Sequence, residues 1–414
     1  MSAANRKGFE KIECVDRWHF LDGESGPEAE RKAKAINQID RFWNEFKASK
    51  LCQLKARLAL KENIVSPWML EHFPIAEPLL EWELGFDENE NSQLSISRSV
   101  DLSQLRLTET FAERAGVIDG WTISAGRVPL DVSRMDVCST FETRFQKKLP
   151  PFRFELVETQ SNHIAINFFS SKFVVENSED DQIISFGLGE LLLGEQVADR
   201  WVGQSETLFD ESITEADFDF NAMAEAFQTA FANKKNAILS KLPDQPYALW
   251  DCQRDLSMLT VATDEELADT SRYRRRFTIL TFWPELLLGM AASRSFFSER
   301  FLKKGQRFAY LQLIDIIPEF SQEVRDCFED DIINSLAAAA AGCMVGSGRG
   351  NPDSYYFDLC LTNIDRAIGV LREVCQRANL PNTCWLRFYD VHWNQEWVRM
   401  FPDTPDFEEP ERLG

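Results

Sequence analysis

Residues 308–389 constrain the fold more than any other part of the chain. The spacing between their apolar residues alternates between that of strands and that of helices in a defined order. Apolar side chains recur every second residue in strands and every third or fourth residue in helices. The order is strand, helix, strand, strand, helix, strand, at residues 308–316, 318–339, 342–347, 355–361, 364–378 and 385–389. This split β-α-β pattern predicts a ferredoxin-like sandwich of one sheet and two helices.

The N-terminal half begins with a long helical pattern. Proline favours the first helical position, and Ile39, Trp43 and Phe46 follow Pro27 at helical spacing. We expect one helix or a pair of helices from Pro27, ending before Pro67.

The rest of that half is interpreted as an elaborated version of the same split unit. Its pattern predicts a strand, a helix, a strand, an extra helix, a hairpin, a helix and a closing strand. Apart from the extra helix, these elements lie at residues 94–97, 102–115, 121–128, 152–157 with 163–169, 183–193 and 201–209.

With 414 residues, the chain is too long for one ordinary core. We predict an α+β protein of two ferredoxin-like (split β-α-β) modules with additional N-terminal and linking helices. Its segments are an N-terminal helical segment at 1–75, a first α+β module at 76–210, an acidic linker and helix at 211–250, a second ferredoxin-like module at 251–401 and a disordered acidic tail at 402–414.

The charge balance limits the classes of partner. With 45 basic and 67 acidic side chains, the formal charge is −22. A negative field repels nucleic-acid phosphates and anionic lipids, and it favours encounter with a basic protein. The same charge also serves solubility. We expect no nucleic-acid partner, and the apolar runs at 286–292 and 336–345 are too short to span a bilayer.

The cysteines and the N-terminus predict a cytoplasmic protein. Nine cysteines are scattered without a CxxC pair, which is typical of thiols kept reduced. Residues 1–18 are polar and charged and lack the apolar stretch of a signal peptide.

No familiar catalytic, metal or cofactor motif is present. The four histidines are dispersed, HExxH and GxSxG are absent, and the glycine run at 346–350 lacks the lysine of a phosphate-binding loop. That run is predicted to be a hairpin, with Arg349 at its tip available to an anion.

Glu190 and Glu195 are about 140° apart around a helix, and this spacing does not indicate an acid–base pair. Gly194 can close that helix, leaving Glu195 to pair with a cation.

Two other groups are candidates for binding. In an extended chain Arg274 and Arg276 share a face, where they could hold an anion or neutralise the protein's own carboxylates. A second group lies in the aromatic C-terminal segment, where tryptophan suits both cores and binding surfaces. Its members are Asp390, His392, Trp393 and Trp397.

The C-terminal quarter resembles a bacterial family that contains the regulator of ribonuclease activity B and related domains of unknown function. The resemblance rests on Tyr355-Tyr356-Phe357, a helix, a strand, and then Asp390-x-x-Trp393 with Trp397 and Pro402. It implies a ferredoxin-like fold, acidic character and a protein partner. Residues 79–120 are similar to uncharacterised bacterial proteins and imply no activity.

The function we expect is that of a non-enzymatic cytoplasmic binding or regulatory protein whose acidic surface engages a basic protein partner. The alternative is an enzyme or a small anionic-ligand-binding protein with a site in a cleft between the modules. A structural subunit of a larger assembly is a third reading. The oligomeric state is left open.

Overall fold

A computed structural model describes residues 17–18, 26–53, 65–74, 80–86, 91–98, 101–159, 161–173, 179–214, 218–242, 257–261, 277–281, 283, 285–286, 295–303, 305–314, 321–349 and 354–407. These residues divide into two compact units, with the boundary after Ser240. Arg17 and Trp18 belong to the second unit. Helices and strands occur together in both units, which confirms the α+β class.

The first unit begins with helix α1 at Pro27–Ala48, which confirms the predicted start. The proline stands in the first turn, where its missing N–H is not needed. The buried face of α1 includes Phe42, Trp43 and Phe46. Trp43 donates its indole N–H to the carbonyl oxygen of Phe111 at 2.8 Å, so α1 is held by a hydrogen bond as well as by packing.

The described residues after α1 include two short helices, α2 at Lys50–Gln53 and α3 at Val65–His72. Helix α3 is a further helix that the sequence does not predict, and Pro67 is its third residue. The first turn of a helix tolerates proline, since its N–H groups have no acceptor within the helix.

The described strands of the first unit form two three-stranded sheets, whereas the sequence predicts one split sheet. In each sheet an antiparallel hairpin is followed by a helical connection and a third strand parallel to the second. Strand β1 is missing from the prediction, although its apolar residues alternate with Glu81 and Glu83 as in a half-buried strand. The strands are β1–β3 at Leu80–Phe86, Ser92–Arg98 and Trp121–Ala125, and β4–β6 at Arg153–Glu158, Ile164–Ser170 and Val202–Phe209.

The helices that complete the described part of this unit are α4–α8, at Leu105–Ala115, Val137–Phe145, Glu179–Leu193, Glu195–Trp201 and Phe220–Ser240. The predicted hairpin and the helices near 102–115 and 183–193 are confirmed within a few residues. Helix α8 places Phe227 against Phe154 and Phe168, with ring centres 5.2 and 5.6 Å away. This helix therefore belongs to the first unit, whereas the sequence analysis grouped it with a linker.

A network of charges around Arg127 joins the elements of the first unit. Its guanidinium lies 2.6 Å from a carboxylate oxygen of Glu81 and 3.3 Å from one of Glu83, both on β1. On the other side it lies 3.0 Å from Glu190 on α6 and 3.9 Å from Glu195 on α7. One cation thus neutralises carboxylates from three elements.

Gly194 allows the backbone beside Arg127 to approach the end of α6. Its φ of 77° lies in the left-handed region that favours glycine. A Cβ there would lie 2.9 Å from the carbonyl oxygen of Arg127 and 2.8 Å from the ring of Pro129, both too close. Gly194 therefore separates α6 from α7, and Glu195 pairs with a cation, as the sequence predicts.

We predict that Arg127→Met lowers the free energy of unfolding of the first unit by about 2–4 kcal/mol, because it removes the cation from the partly buried Glu190 and leaves the buried Glu195 with Arg98, at 3.8 Å, as its remaining cation among the described residues. Urea denaturation measures this. The control is Arg153→Met, which removes a mostly exposed arginine from Asp210 and should cost under about 1 kcal/mol. Equal losses in the two variants would contradict a special role for Arg127.

The second unit contains the strand and helix series that the sequence predicts. Its elements are β9 at Arg307–Leu313, α9 at Gln322–Ala338, β10 at Gly342–Arg349, β11 at Tyr355–Leu361, α10 at Ile364–Arg377 and β12 at Cys384–Phe388. Strands β7, β8 and β13 were not predicted and lie at Ser257–Val261, Phe277–Thr281 and Trp397–Arg399. The described strands form one sheet in the order β13-β12-β9-β11-β10-β8-β7, and all neighbours are antiparallel.

Helices α9 and α10 cover one face of this sheet. They bury Leu311, Phe357 and Leu386, one from each of three neighbouring strands. Ser321 caps α9 by accepting the N–H of Val324, so the helix begins at residue 322, later than the predicted proline at 318. Residues 315–320 lie outside the described residues.

The folded chain reaches Phe407, six residues into the stretch that the sequence analysis assigned to a disordered tail. Trp385 donates its indole N–H to the carbonyl oxygen of Pro405 at 2.9 Å. The ring of Phe407 packs edge-on against Trp385, with centres 5.4 Å apart. Residues 408–414 lie outside the described residues.

The described cysteines are free thiols that differ widely in exposure. Cys327 on α9 is exposed, whereas Cys360, Cys375 and Cys384 are buried. Burial raises the pKa of the thiols of Cys360 and Cys384, and it raises that of the half-buried Cys138 to about 11.

These thiols should therefore react at different rates. Because the thiolate is the nucleophile, a pKa of about 11 at Cys138, against a usual 9, lowers its reactive fraction roughly 100-fold. In iodoacetamide labelling followed by peptide mass mapping, we expect Cys327 to react first and the three buried thiols to react only on unfolding. Labelling of Cys360 as fast as Cys327 would contradict the placement of β11 in the core.

Candidate functional site

The structure describes five of the seven residues that the sequence suggests for binding. Arg274 and Arg276 lie outside the described residues. Arg349 is the last residue of β10 and pairs with Tyr355 in the ladder to β11, which confirms the predicted hairpin. Its guanidinium carbon lies 5.5 Å from the centre of the Tyr355 ring.

Asp390 is buried and holds a neighbouring turn in place. Its carboxylate accepts the backbone N–H and the hydroxyl of Ser298, at 2.7 and 2.5 Å. The Ser298 hydroxyl oxygen in turn accepts the N–H of Phe308 on β9. Arg307 lies 3.2 Å from Asp390 and over the ring of Trp393. These contacts give Asp390 a structural role.

His392, Trp393 and Trp397 are also buried. The ring of His392 stacks on Phe297 at 5.4 Å, and Trp393 packs against Phe388 at 4.8 Å. The predicted aromatic group therefore lies inside the second unit and does not form an exposed binding surface.

The ring of Trp397 is covered by the start of the chain. The guanidinium of Arg17 stacks over Trp397 at 3.6 Å from its centre. The backbone N–H of Trp18 donates to the carboxylate of Glu396 at 2.6 Å. Residues 17 and 18 are therefore an integral part of the second unit.

The sheet face opposite α9 and α10 carries a group of polar residues, of which Gln312 and Asp358 are buried and the others are half-buried. Asp358 pairs with Tyr310 in the ladder between β11 and β9, and Tyr310 pairs with Arg387 on β12. In the next row Tyr356 pairs with Gln312. We call this the sheet-face cluster, and its members are Tyr310, Gln312, Tyr356, Asp358, Arg387 and Tyr389.

Asp358 is the most deeply buried member, with 1% of its surface exposed. The hydroxyl of Tyr389 donates to its Oδ1 at 2.5 Å, and Oδ2 is buried without a hydrogen-bond partner. Burial raises the pKa of Asp358 to about 6, although the bond from Tyr389 opposes this rise. Burial and the nearby Asp358 also raise the pKa of Tyr389. Asp358 is thus a buried carboxylate with one of its two oxygens unsatisfied.

Gln312 supplies a second unsatisfied acceptor. Its amide nitrogen donates to the hydroxyl of Tyr356 at 3.3 Å, and its Oε1 is buried without a partner. The ring of Tyr310 lies beside both other tyrosines, 5.9 Å from Tyr356 and 4.9 Å from Tyr389. The sequence contains one usable signal for this site, because Asp358 is the single charge in the otherwise apolar strand β11.

The opposite side of the second unit presents carboxylates to solvent on α9. Glu323, Asp326 and Asp330 are exposed, and their positions fall within an arc of about 60° around the helix. Among the described residues no basic side chain forms an ion pair with these three carboxylates. The arginine of this helix, Arg325, instead turns to Glu329 and to Ser347 on the sheet. We call Glu323, Asp326 and Asp330 the acidic face.

Two searches of the described residues were negative. They contain no group of three or more histidine, cysteine, aspartate or glutamate side chains placed to hold a metal ion. None of their helices has the length and apolar character needed to cross a membrane.

Comparison with known proteins found no match to this chain among family models, curated proteins or solved structures.

The buried carboxylate predicts a pH-dependent difference between wild type and Asp358→Asn. A folded-state pKa of about 6 against an unfolded value near 3.8 means that the carboxyl group contributes stability below about pH 4, and this is lost as the pH rises through 6. In urea denaturation without added ligand we expect Asp358→Asn to be more stable than wild type by about 2–3 kcal/mol at pH 7, and by little at pH 4. The control is Glu373→Gln, an exposed change on α10, and a gain independent of pH would contradict the assignment.

Proposed function

We propose that this protein acts by binding, without catalysis of its own, and that its partner is a basic protein which contacts the acidic face of α9. The observation that carries the proposal is the set of three exposed carboxylates without a basic counterpart among the described residues. Elsewhere in those residues, arginines such as Arg98, Arg127 and Arg377 are directed at the protein's own carboxylates.

The chemistry of the acidic face suits a basic partner. Its carboxylates share one side of a helix, and Val324, which is 43% exposed, lies on the adjoining side about 100° from Glu323. Helix α9 carries five acidic residues and one basic residue. With a formal charge of −22 on the whole chain, the field steers a basic partner and raises the rate of encounter.

We also propose a fold type for the second unit. The strand order β12-β9-β11-β10, with α9 and α10 on one face, supports a ferredoxin-like module extended by β7, β8 and β13. The resemblance to the regulator of ribonuclease activity B family agrees with that arrangement and with a protein partner. We further propose a cytoplasmic location, supported by the free thiols.

The proposal predicts which charges the partner needs. Tagged wild type and the variant E323Q/D326N/D330N are incubated with lysate at low and at high salt, and retained proteins are identified by mass spectrometry. We expect a basic protein that binds wild type at low salt, is lost at high salt, and is retained roughly tenfold less by the variant, because exposed charges act mainly on encounter.

The matched control is E113Q/E142Q/E225Q, which removes three exposed carboxylates from the first unit. It makes the net charge less negative by the same amount and should retain the partner as wild type does. Equal loss in the two triple variants would show that net charge alone is responsible. Retention of every captured protein by E323Q/D326N/D330N would overturn the acidic face as the contact.

A further inference from the structure

The sheet-face cluster contains two buried acceptor atoms that lack donors. Asp358 Oδ2 and Gln312 Oε1 have no hydrogen-bond partner, although their side chains are 1% and 7% exposed. A buried polar atom left unsatisfied costs about 1–3 kcal/mol, and more when it is charged. Such atoms therefore point to a donor that the folded chain does not itself supply.

The two acceptors are neighbours on one face of the sheet. Gln312 pairs with Tyr356 in the β9–β11 ladder, and Asp358 is two residues beyond Tyr356 on β11. This diagonal relation places such residues about 7–8 Å apart, within reach of one group that donates to both. On the other side of β11 the residue opposite Asp358 is Gly346, so the strand β10 places no side chain beside the carboxylate.

The surroundings suit a positive charge. Asp358 brings a carboxylate, and the rings of Tyr310 and Tyr356 offer negatively polarised faces within the same rows of the sheet. The cluster itself contributes one positive group among the described residues, Arg387, whose guanidinium lies over Tyr310 at 5.7 Å. An anion would meet the Asp358 carboxylate, and a neutral apolar group would leave both acceptors unsatisfied.

We propose that the sheet-face cluster binds the cationic nitrogen group of a small organic amine, an ammonium or a guanidinium. Its N–H groups donate to Asp358 Oδ2 and Gln312 Oε1, and the tyrosine rings contact its positive charge. This site is separate from the acidic face, which lies on the helical side of the second unit.

Thermal unfolding of the full-length protein tests the site with agmatine and butylammonium as probes. Sodium chloride of equal ionic strength is the baseline, and tetramethylammonium is a cation without N–H groups. At about ten times the dissociation constant we expect agmatine or butylammonium to raise the melting temperature of the second unit by about 3 °C. Tetramethylammonium should give no rise beyond the baseline.

Two variants assign the effect to the cluster. Asp358→Asn removes the charge and Gln312→Met removes one acceptor, and each should abolish the rise, whereas Glu373→Gln should keep it. If Asp358→Asn fails to fold, Gln312→Met decides alone. No rise with either probe, or an equal rise in wild type and Gln312→Met, would overturn the proposal.

A lysine or arginine side chain from a protein partner carries the same chemical group. If Asp358→Asn also loses the protein captured at low salt, the cation is supplied by that partner, and the small-amine proposal is overturned. The variant E323Q/D326N/D330N should keep the melting-temperature rise. Failure of the acidic face and failure of the amine site are therefore separate results.

Discussion

The guanidinium of Arg127 neutralises a cluster of carboxylates that the fold of the first unit brings together. Its two sheets and its helices bring Glu81, Glu83, Glu190 and Glu195 together, and carboxylates in such a place repel one another unless a cation lies among them. Arginine suits the position because its planar group donates in several directions at once. The close approach of its backbone to Gly194 sets where α6 ends and α7 begins, so local conformation and charge neutralisation depend on the same few residues.

The second unit obeys a different constraint, because its sheet has one face covered by helices and another whose centre is polar. Leu311 and Phe357 point to α9 and α10, while their neighbours Tyr310 and Asp358 point the opposite way. The alternation of a strand thus separates the helix-covered core from a second side, where a smaller apolar cluster that includes Phe308 and Cys360 adjoins the polar residues. The acidic face and the sheet-face cluster belong to opposite sides of this division, which is why they can be tested independently.

Local signals in the sequence predict the helices and hairpins well and the wider arrangement less well. Pro27 marks the start of α1, and the glycines near Arg349 mark the β10–β11 hairpin, because these depend on backbone preferences of a few residues. The division of the first unit into two sheets depends on which strands pair, and single-sequence periodicity does not report pairing. For the same reason Asp390, Trp393 and Trp397 suggested a surface, although tertiary packing buries them. The unsatisfied acceptors of Asp358 and Gln312 can be found only from coordinates.

The attachment of Arg17 and Trp18 to the segment around Trp397 has a consequence for synthesis. The hydrogen bond from Trp18 to Glu396 joins residues 378 positions apart. On the ribosome the first unit is complete long before Glu396 emerges, so this bond forms among the last in the chain. Until the two segments meet, the ring of Trp397 lacks its contact with the guanidinium of Arg17. The early segment therefore joins the second unit only after both units have been translated, and this contact requires a loop closure that spans most of the chain.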